Sequence, residues 1–193
     1  MIRILAIAGS LILFLCGPSL YAGEPLNTVQ TDVNKVLEIL REKNLKEEAK
    51  KEKLRVIYEH LFNEVEMSRR TLGRNWSKLN AAQQKEFVQL YRTLLEKTYI
   101  DKILSYTNEK INFSKESLLS KNQAEVQTKI ITSSKEIPIN YRMILNDQDW
   151  KVYDVVIENV SLIQNFRSQF NAILANHTPD QMIEILEKKV KGK

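Results

Sequence analysis

The chain has 193 residues, of which 43% are hydrophobic and 27% charged, and its formal net charge is +5 at pH 7. This length suits one folded domain with one hydrophobic core. With a single cysteine, and with Gly73 the only glycine between Gly23 and Gly192, the composition excludes disulfide frameworks, cysteine metal sites and glycine-rich phosphate loops. Basic and acidic residues are mixed along the chain, as in residues 41–53, which favours solvated helix faces over a nucleic-acid surface.

Residues 1–22 have the pattern of a secretory signal peptide. Arg3 precedes an apolar run at residues 4–15, which is too short for a stable membrane span, and Ala22 supplies the small residue for cleavage. The residues before Cys16 are Phe14 and Leu15, where lipoprotein processing needs small side chains, so we expect no lipid anchor. The sequence therefore predicts an exported chain whose mature part, residues 23–193, is a single cysteine-free domain.

The first half of this domain has the apolar spacing of amphipathic helices. One stripe comprises Leu26, Val29, Val33, Val36, Leu37 and Leu40, and a second comprises Leu54, Ile57, Tyr58, Leu61, Phe62 and Val65. Gly73 lies where a helix would end in the left-handed αL conformation. Asn80 and Gln83 have the spacing of a capping box, which predicts a long helix from there to about Tyr106.

The second half predicts strands joined by polar turns, followed by helices. The four predicted strands are residues 110–113, 124–132, 137–145 and 150–158. Pro138 indicates an exposed strand end or an edge position. Thr178 and Pro179 begin a last helix, which runs to about Lys189. We therefore expect an α+β fold in which N-terminal helices pack on a curved, mainly antiparallel four-stranded sheet and C-terminal helices close it.

Residues 150–174, WKVYDVVIENVSLIQNFRSQFNAIL, change from strand to helix spacing without an intervening Gly or Pro. We expect the strand to turn directly into a helix, with Ser161 as its N-cap. This segment resembles the signature of the MlaC/toluene-tolerance family of periplasmic phospholipid-binding proteins. Further matches upstream include Met67 to Arg70, Leu72-Gly73, Trp76, Gln84, Phe87, Leu94-Leu95 and Thr98-Tyr99. Asn159 stands where the family usually has Gly, and Asn tolerates a left-handed turn.

The resemblance implies an NTF2-like cone and the function of a periplasmic lipid carrier, with no enzymatic activity and no cofactor beyond the phospholipid cargo. It also implies two partners: an inner-membrane ABC transporter complex with a lipid-binding hexamer, and an outer-membrane lipoprotein–porin complex. Such a carrier helps to maintain outer-membrane lipid asymmetry. Relatives are associated with hopanoid transport, so a hopanoid or another apolar lipid is an alternative cargo.

An apolar cavity for acyl chains would be lined by inward strand residues and by helix residues opposite them. The strand candidates are Val126, Ile130, Ile139, Tyr141, Met143, Val152 and Val155, and the helix candidates are Leu95, Tyr99, Leu162, Phe166 and Phe170. Each of them is also compatible with ordinary core packing.

An NTF2-like enzyme is the alternative from another class, and Asp154 is its best catalytic candidate. The interpretation we prefer for Asp154 is a structural carboxylate paired with Arg142 or Arg167, or bonded to backbone. His60 and His177 are far apart and lack a carboxylate at ligand spacing, so we expect surface or packing roles and no metal site.

Overall fold

The computed structural model describes residues 24–106 and 109–192, so the predicted signal peptide lies outside the described residues. The helices are α1 (Glu24–Arg41), α2 (Glu47–Leu61), α3 (Glu64–Leu72), a 3₁₀ helix (Gly73–Lys78), α4 (Ala81–Leu104), α5 (Leu162–Leu174) and α6 (Pro179–Lys191). No helix in these two ranges is long and apolar enough to cross a membrane.

The strands are β1 (Lys110–Ser120), β2 (Gln123–Ile131), β3 (Glu136–Asn146), β4 (Asp149–Ile157) and β5 (Val160–Ser161). They form one sheet in chain order, and every neighbouring pair is antiparallel. The predicted α+β class is confirmed, but the sheet has five strands instead of four. Strand β1 extends seven residues beyond its predicted end at Phe113. It is an edge strand with mostly exposed side chains, so it lacks the apolar alternation that marks a half-buried strand.

The passage from β4 to α5 contains a short strand that we did not predict. Glu158 and Asn159 have positive φ values of 48° and 67°, and Val160 and Ser161 then pair back with β4 as β5. The expectation of a direct strand-to-helix transition is therefore wrong, whereas the left-handed turn at Asn159 is confirmed. Ser161 caps α5 as predicted, because its side chain accepts a hydrogen bond from the Gln164 N–H.

Two other predicted helix starts are confirmed. Asn80 and Gln83 form a reciprocal capping box at the start of α4, and Thr178 caps α6 with Pro179 in the first turn. Gly73 ends α3 with φ 54° and ψ −124°, so its φ is positive as expected but its ψ lies outside the predicted αL region. The reason is that the chain continues at once into the 3₁₀ helix.

The second apolar stripe is divided between two helices. Helix α2 ends at Leu61, and Phe62 then forms an isolated bridge with Val152 of β4. The Asn63 N–H donates to the Val152 carbonyl, and the Asn63 side chain caps α3. Val65, predicted to lie on the apolar face of one continuous helix, is 57% exposed on α3. The bond to β4 interrupts the helical spacing.

Pro138 lies near the start of β3, which is a central strand, so the edge alternative is wrong. Its carbonyl accepts a hydrogen bond from the Glu158 N–H, and Ile139–Ile157 is the last pair between β3 and β4. The nitrogen and carbonyl of one residue point to the same side of a strand, so the Pro138 nitrogen also faces β4. It lies beyond the last β3–β4 pair, where the missing N–H costs no ladder hydrogen bond. The strand-end alternative is confirmed.

Two large groups of buried apolar residues lie on either side of β4. The first, here the helical cluster, is formed mainly by α3, α4, α5 and α6 and includes Phe87, Tyr91, Phe166 and Phe170. The second, here the sheet cluster, lies between one face of the sheet and α1, α2 and the start of α5. It contains Val29, Val33, Leu61, Ala124, Val126, Met143, Trp150, Val152, Val155 and Leu162. Helices therefore cover one face of the sheet and also pack against one another beside it.

Candidate functional site

The sheet cluster is built from aligned rows of strand residues. Val126 of β2 is opposite Tyr141 of β3, which is opposite Val155 of β4, and Ala124, Met143 and Val152 form the next row. Ala124, Val126, Met143 and Val152 are fully buried. Because the strand period is two, these rows give one continuous apolar face.

A β-bulge allows β4 to contribute two valines to this face. Val152 and Val155 are three residues apart, so in a regular strand they would point to opposite sides. The register shifts between Arg142 and Met143, where Val152, Tyr153 and Asp154 lie opposite those two residues. Val155 thereby returns to the side of Val152, while Tyr153 packs in the helical cluster.

Helix α1 covers the face with Val29 and Val33, and polar bonds hold it there. Its Leu26 N–H donates to Glu116 Oε2 of β1 at 2.9 Å. The buried carboxylate of Asp32 accepts from Lys35 Nζ at 2.9 Å and lies 2.8 Å from His60 Nδ1 of α2. His60 and His177 are both exposed, which agrees with the surface positions expected for them.

Eight of the twelve predicted wall residues belong to the sheet cluster or pack against it: Tyr99, Val126, Ile139, Tyr141, Met143, Val152, Val155 and Leu162. Burial raises the pKa of the Tyr141 hydroxyl to about 12, so this tyrosine stays neutral at physiological pH. Tyr99 contacts both clusters. Ile130 is buried further along β2, where it pairs with Ile111 and Ile137.

The other three predicted residues, Leu95, Phe166 and Phe170, lie in the helical cluster. The Phe166 ring meets Tyr91 edge-on with centroids 5.4 Å apart, and Phe170 meets Phe87 at 5.1 Å. A cavity of about 20 Å³ beside both phenylalanines has room for about one water molecule. The structure therefore places these three residues among core aromatics and not opposite the sheet. Phe166 and Phe170 of α5 face α4, and Leu95 lies on α4.

Asp154 has the structural surroundings that we preferred for it. Its carboxylate accepts hydrogen bonds from the Ser161 hydroxyl at 2.7 Å, the Ile163 N–H at 3.1 Å and Arg142 Nη1 at 3.3 Å. Arg167, the other arginine considered, donates to the Arg70 carbonyl. Asp154 is only 2% exposed and thus ties β4 to the start of α5.

Five members of the sheet cluster were not among the predicted wall residues: Val29, Val33, Leu61, Ala124 and Trp150. Trp150 could have been found, since it precedes Val152 by two residues and therefore shares its face. The first three lie on apolar stripes of α1 and α2, but the sequence does not indicate which helix lies on the sheet.

A separate open groove of about 420 Å³ lies on the surface of α3, the 3₁₀ helix and α4. It is lined by Val65, Trp76 and Val88 together with Glu64, Lys85 and Arg92. None of the predicted wall residues lines it. Its charged rim and openness to solvent distinguish it from the enclosed sheet cluster.

These features define a class of protein: an α+β domain in which an antiparallel sheet presents one apolar face to a layer of helices. A profile described as the MlaC protein matches residues 30–188. The chain belongs to the MlaC family, and the resemblance found in the sequence is confirmed.

Two relatives illustrate this similarity. The intermembrane phospholipid transport system binding protein MlaC of Haemophilus influenzae is 26% identical over 124 residues, which span 62% of this chain and 58% of the relative. The phospholipid-binding protein of Ralstonia solanacearum, solved in complex with a phospholipid, shares the fold with a TM-score of 0.79 at 18% identity. That match covers 88% of this chain and 98% of the other.

Proposed function

We propose that this protein is a periplasmic carrier that binds phospholipid by its acyl chains in the sheet cluster. It shuttles lipid between an inner-membrane ABC transporter complex with a lipid-binding hexamer and an outer-membrane lipoprotein–porin complex, and so helps to maintain outer-membrane lipid asymmetry. The observation that carries the proposal is the sheet cluster itself, a continuous apolar face enclosed by helices. The lipid cargo of the two relatives supports the same role.

The energetics of acyl chains suit such a site. Burial of each CH₂ contributes roughly 0.8 kcal/mol, so one long chain contributes on the order of 10 kcal/mol without any charged contact. The polar headgroup can stay in water near the mouth, which avoids the cost of burying a charge. We narrow the proposed wall to the eight predicted residues of the sheet cluster, together with Val29, Val33, Leu61, Ala124 and Trp150.

Bound chains need space that the valines and methionine of the cluster fill in this structure. The strands are tied to one another by backbone ladders, whereas α1 is held to the sheet by side-chain packing and a few polar bonds. Outward movement of α1 is therefore the least costly way to open the cluster. Slow release to water then follows, since a leaving chain must be solvated, and transfer requires contact with a partner that offers an apolar path.

Native mass spectrometry of the secreted protein tests the proposal. We expect a co-purifying species whose mass and fragments identify a diacyl phospholipid, and its loss after exchange into an apolar acceptor. A polycyclic species would replace phospholipid by a hopanoid in the proposal. Lipid-free protein that also fails to take up phospholipid from vesicles would overturn it.

The enzyme alternative has little supporting geometry at Asp154, because its carboxylate is only 2% exposed and already accepts three hydrogen bonds from the protein. A general base needs a lone pair directed at a substrate. We therefore propose that the protein acts by binding alone.

A further inference from the structure

Trp150 carries a buried hydrogen-bond donor that has no acceptor. The residue is 3% exposed, and its indole Nε1 is one of two buried side-chain polar atoms without a partner in residues 24–106 and 109–192. The other is Glu64 Oε1, which at least has Arg92 Nη1 at 3.7 Å. Because folded proteins pair nearly all buried polar groups, an unpaired donor in an apolar cluster calls for an explanation.

The surroundings of Trp150 explain why the fold supplies no acceptor. It lies opposite Leu145 at the start of β4 and shares its face with Val152, within the sheet cluster. Other buried polar groups near this cluster are paired: the Thr128 hydroxyl donates to the Ile139 carbonyl, and Asp32 is bonded to Lys35 and His60. Among the fully buried side-chain polar atoms of this cluster in the described residues, the indole N–H, which can only donate, is thus the one without a partner.

We propose that Trp150 Nε1–H donates a hydrogen bond to an oxygen at the polar end of the bound lipid. Trp150 thereby selects lipids that carry a hydrogen-bond acceptor where the acyl chains join the headgroup. This inference rests on the proposed function. The ligand group must be an acceptor, and an amphiphile offers two: an ester carbonyl or a phosphate oxygen. A pure hydrocarbon would leave the donor unpaired in the loaded state as well, so it would gain nothing from this contact.

A variant that lacks only the N–H tests the proposal. Trp150→3-benzothienylalanine keeps the bicyclic ring and replaces the N–H by sulfur, and the same replacement at Trp76, which lines the groove on the helical side, is the matched control. We expect the change at Trp150 to weaken binding of a diester phospholipid by about tenfold, equivalent to about 1.4 kcal/mol. The change at Trp76 should leave affinity unchanged. Equal affinities of wild type and the Trp150 variant would overturn the proposal.

A diether phospholipid with the same headgroup and chain length identifies the acceptor. If the ester carbonyl accepts, wild type prefers the diester and the Trp150 variant loses this preference. If a phosphate oxygen accepts, the variant binds both lipids more weakly by the same factor. If wild type binds neither lipid, the proposed function fails and this inference falls with it; if wild type binds both and the variant matches it, only the role of Trp150 fails.

Two further measurements separate lipid recognition from a structural role. The lipid-free Trp150 variant should be at least as stable to denaturant as wild type, because the lost donor has no partner in the fold. The chain has two tryptophans, so ¹H–¹⁵N spectra contain two indole signals, which Trp76→Phe assigns. Addition of diester lipid should move the Trp150 indole proton downfield. A less stable lipid-free variant, or an unmoved Trp150 signal in the loaded protein, would contradict the proposal.

Discussion

The helical cluster and the sheet cluster are both buried, but they are filled by different side chains. In the helical cluster Phe87, Tyr91, Phe166 and Phe170 form a connected set of rings with centroids 5.1 to 6.4 Å apart. The sheet cluster is mainly aliphatic, with valines from α1, β2 and β4 around Met143. Edge-to-face ring contacts depend on orientation, whereas aliphatic contacts depend mainly on buried area.

This difference separates a structural core from a site that can exchange its contacts. An acyl chain offers α1 and the sheet the same aliphatic surface that they offer each other. Replacing the contact between α1 and the sheet by contacts with lipid therefore costs little free energy. Displacement of one ring from the helical cluster would disrupt several oriented contacts at once. We therefore expect changes in the helical cluster to affect stability, and changes in the sheet cluster to affect lipid retention.

The largest expected effect comes from a charge on the sheet face. Val155→Asp and Val126→Asp place a carboxylate among apolar residues, where a lipid chain would have to desolvate it, so lipid retention should be abolished. The measurement is lipid content of the folded protein by native mass spectrometry.

Val190→Asp on α6 is a matched control for Val155→Asp. The two valines are 7% and 8% exposed, but Val190 lies in the helical cluster. Both variants should lose stability, and helix content by circular dichroism identifies the folded fraction. Only Val155→Asp should lose its lipid. Normal lipid content in folded Val155→Asp, or loss in both variants, would break the distinction between the clusters.

Truncation of a ring in the helical cluster should have the next largest effect. Phe87 is fully buried and contacts both Tyr91 and Phe170. Phe87→Ala should lower the free energy of unfolding by about 3–5 kcal/mol, because it removes buried area and leaves a cavity. Denaturant titration measures the loss. Lipid bound per folded molecule should stay at the wild-type value, and a parallel loss of lipid would show that the helical cluster forms part of the site.

The Asp154 carboxylate joins β4 to the start of α5 and so lies at the boundary of the two clusters. Asp154→Asn should cost about 1–3 kcal/mol of unfolding free energy, since it weakens charge-assisted bonds to Ser161 and Arg142. Asp149→Asn, the same change at an exposed position of β4, is the control and should be near neutral. Lipid carriage should persist in both. An Asp154→Asn protein of unchanged stability that had lost a measurable turnover would favour the enzyme alternative.

The sequence was sufficient for the elements whose determinants are local. The capping residues Asn80, Ser161 and Thr178 mark helix starts through a side chain and a backbone N–H three residues later, and all three were predicted. Alternation likewise identified the apolar face of β2. Strand β1 was too short in the prediction because its pairing depends on β2 and not on its own apolar pattern.

The division of the site between clusters could not be predicted, since it depends on tertiary packing. Phe166 and Phe170 share an apolar stripe with Leu162, yet α5 extends from the sheet cluster at Leu162 into the helical cluster at Phe170. Spacing along a helix shows which residues share a face, but not where along its length that face changes neighbours. The bulge that turns Val152 and Val155 to one side also has no local sequence signal.

The smallest expected effect concerns Glu66 of α3, which bonds to Arg70, the residue that packs on Tyr153 of β4. Its carboxylate accepts from Arg69 Nη2 at 2.7 Å and from Arg70 Nε at 2.6 Å, and the Arg70 guanidinium lies 4.0 Å from the centre of the Tyr153 ring. Burial raises the pKa of Glu66, but the hydrogen bonds from Arg69 and Arg70 outweigh burial, so the pKa lies below its ordinary value of 4.5. The folded protein thus favours the charged form.

A lowered pKa in the folded state stabilises the protein above the ordinary pKa, and this contribution is lost as pH falls through the lowered value. Glu66→Gln should therefore reduce the free energy of unfolding by about 1 kcal/mol at pH 7, and its difference from wild type should shrink below pH 4.5. Denaturant titrations of both proteins measure this difference. They run from about pH 3, which is about 1.5 pH units below the ordinary carboxyl pKa, to about pH 7. Glu184→Gln, at an exposed position of α6, should change stability less, since water screens the pair of Glu184 with Lys188. Because Glu66 acts on the helical side of β4, lipid affinity should be the same in wild type and Glu66→Gln at pH 7. A constant difference across the pH range would show that the amide loses packing and not charge, and reduced lipid affinity would show that the helical side of β4 also supports the site.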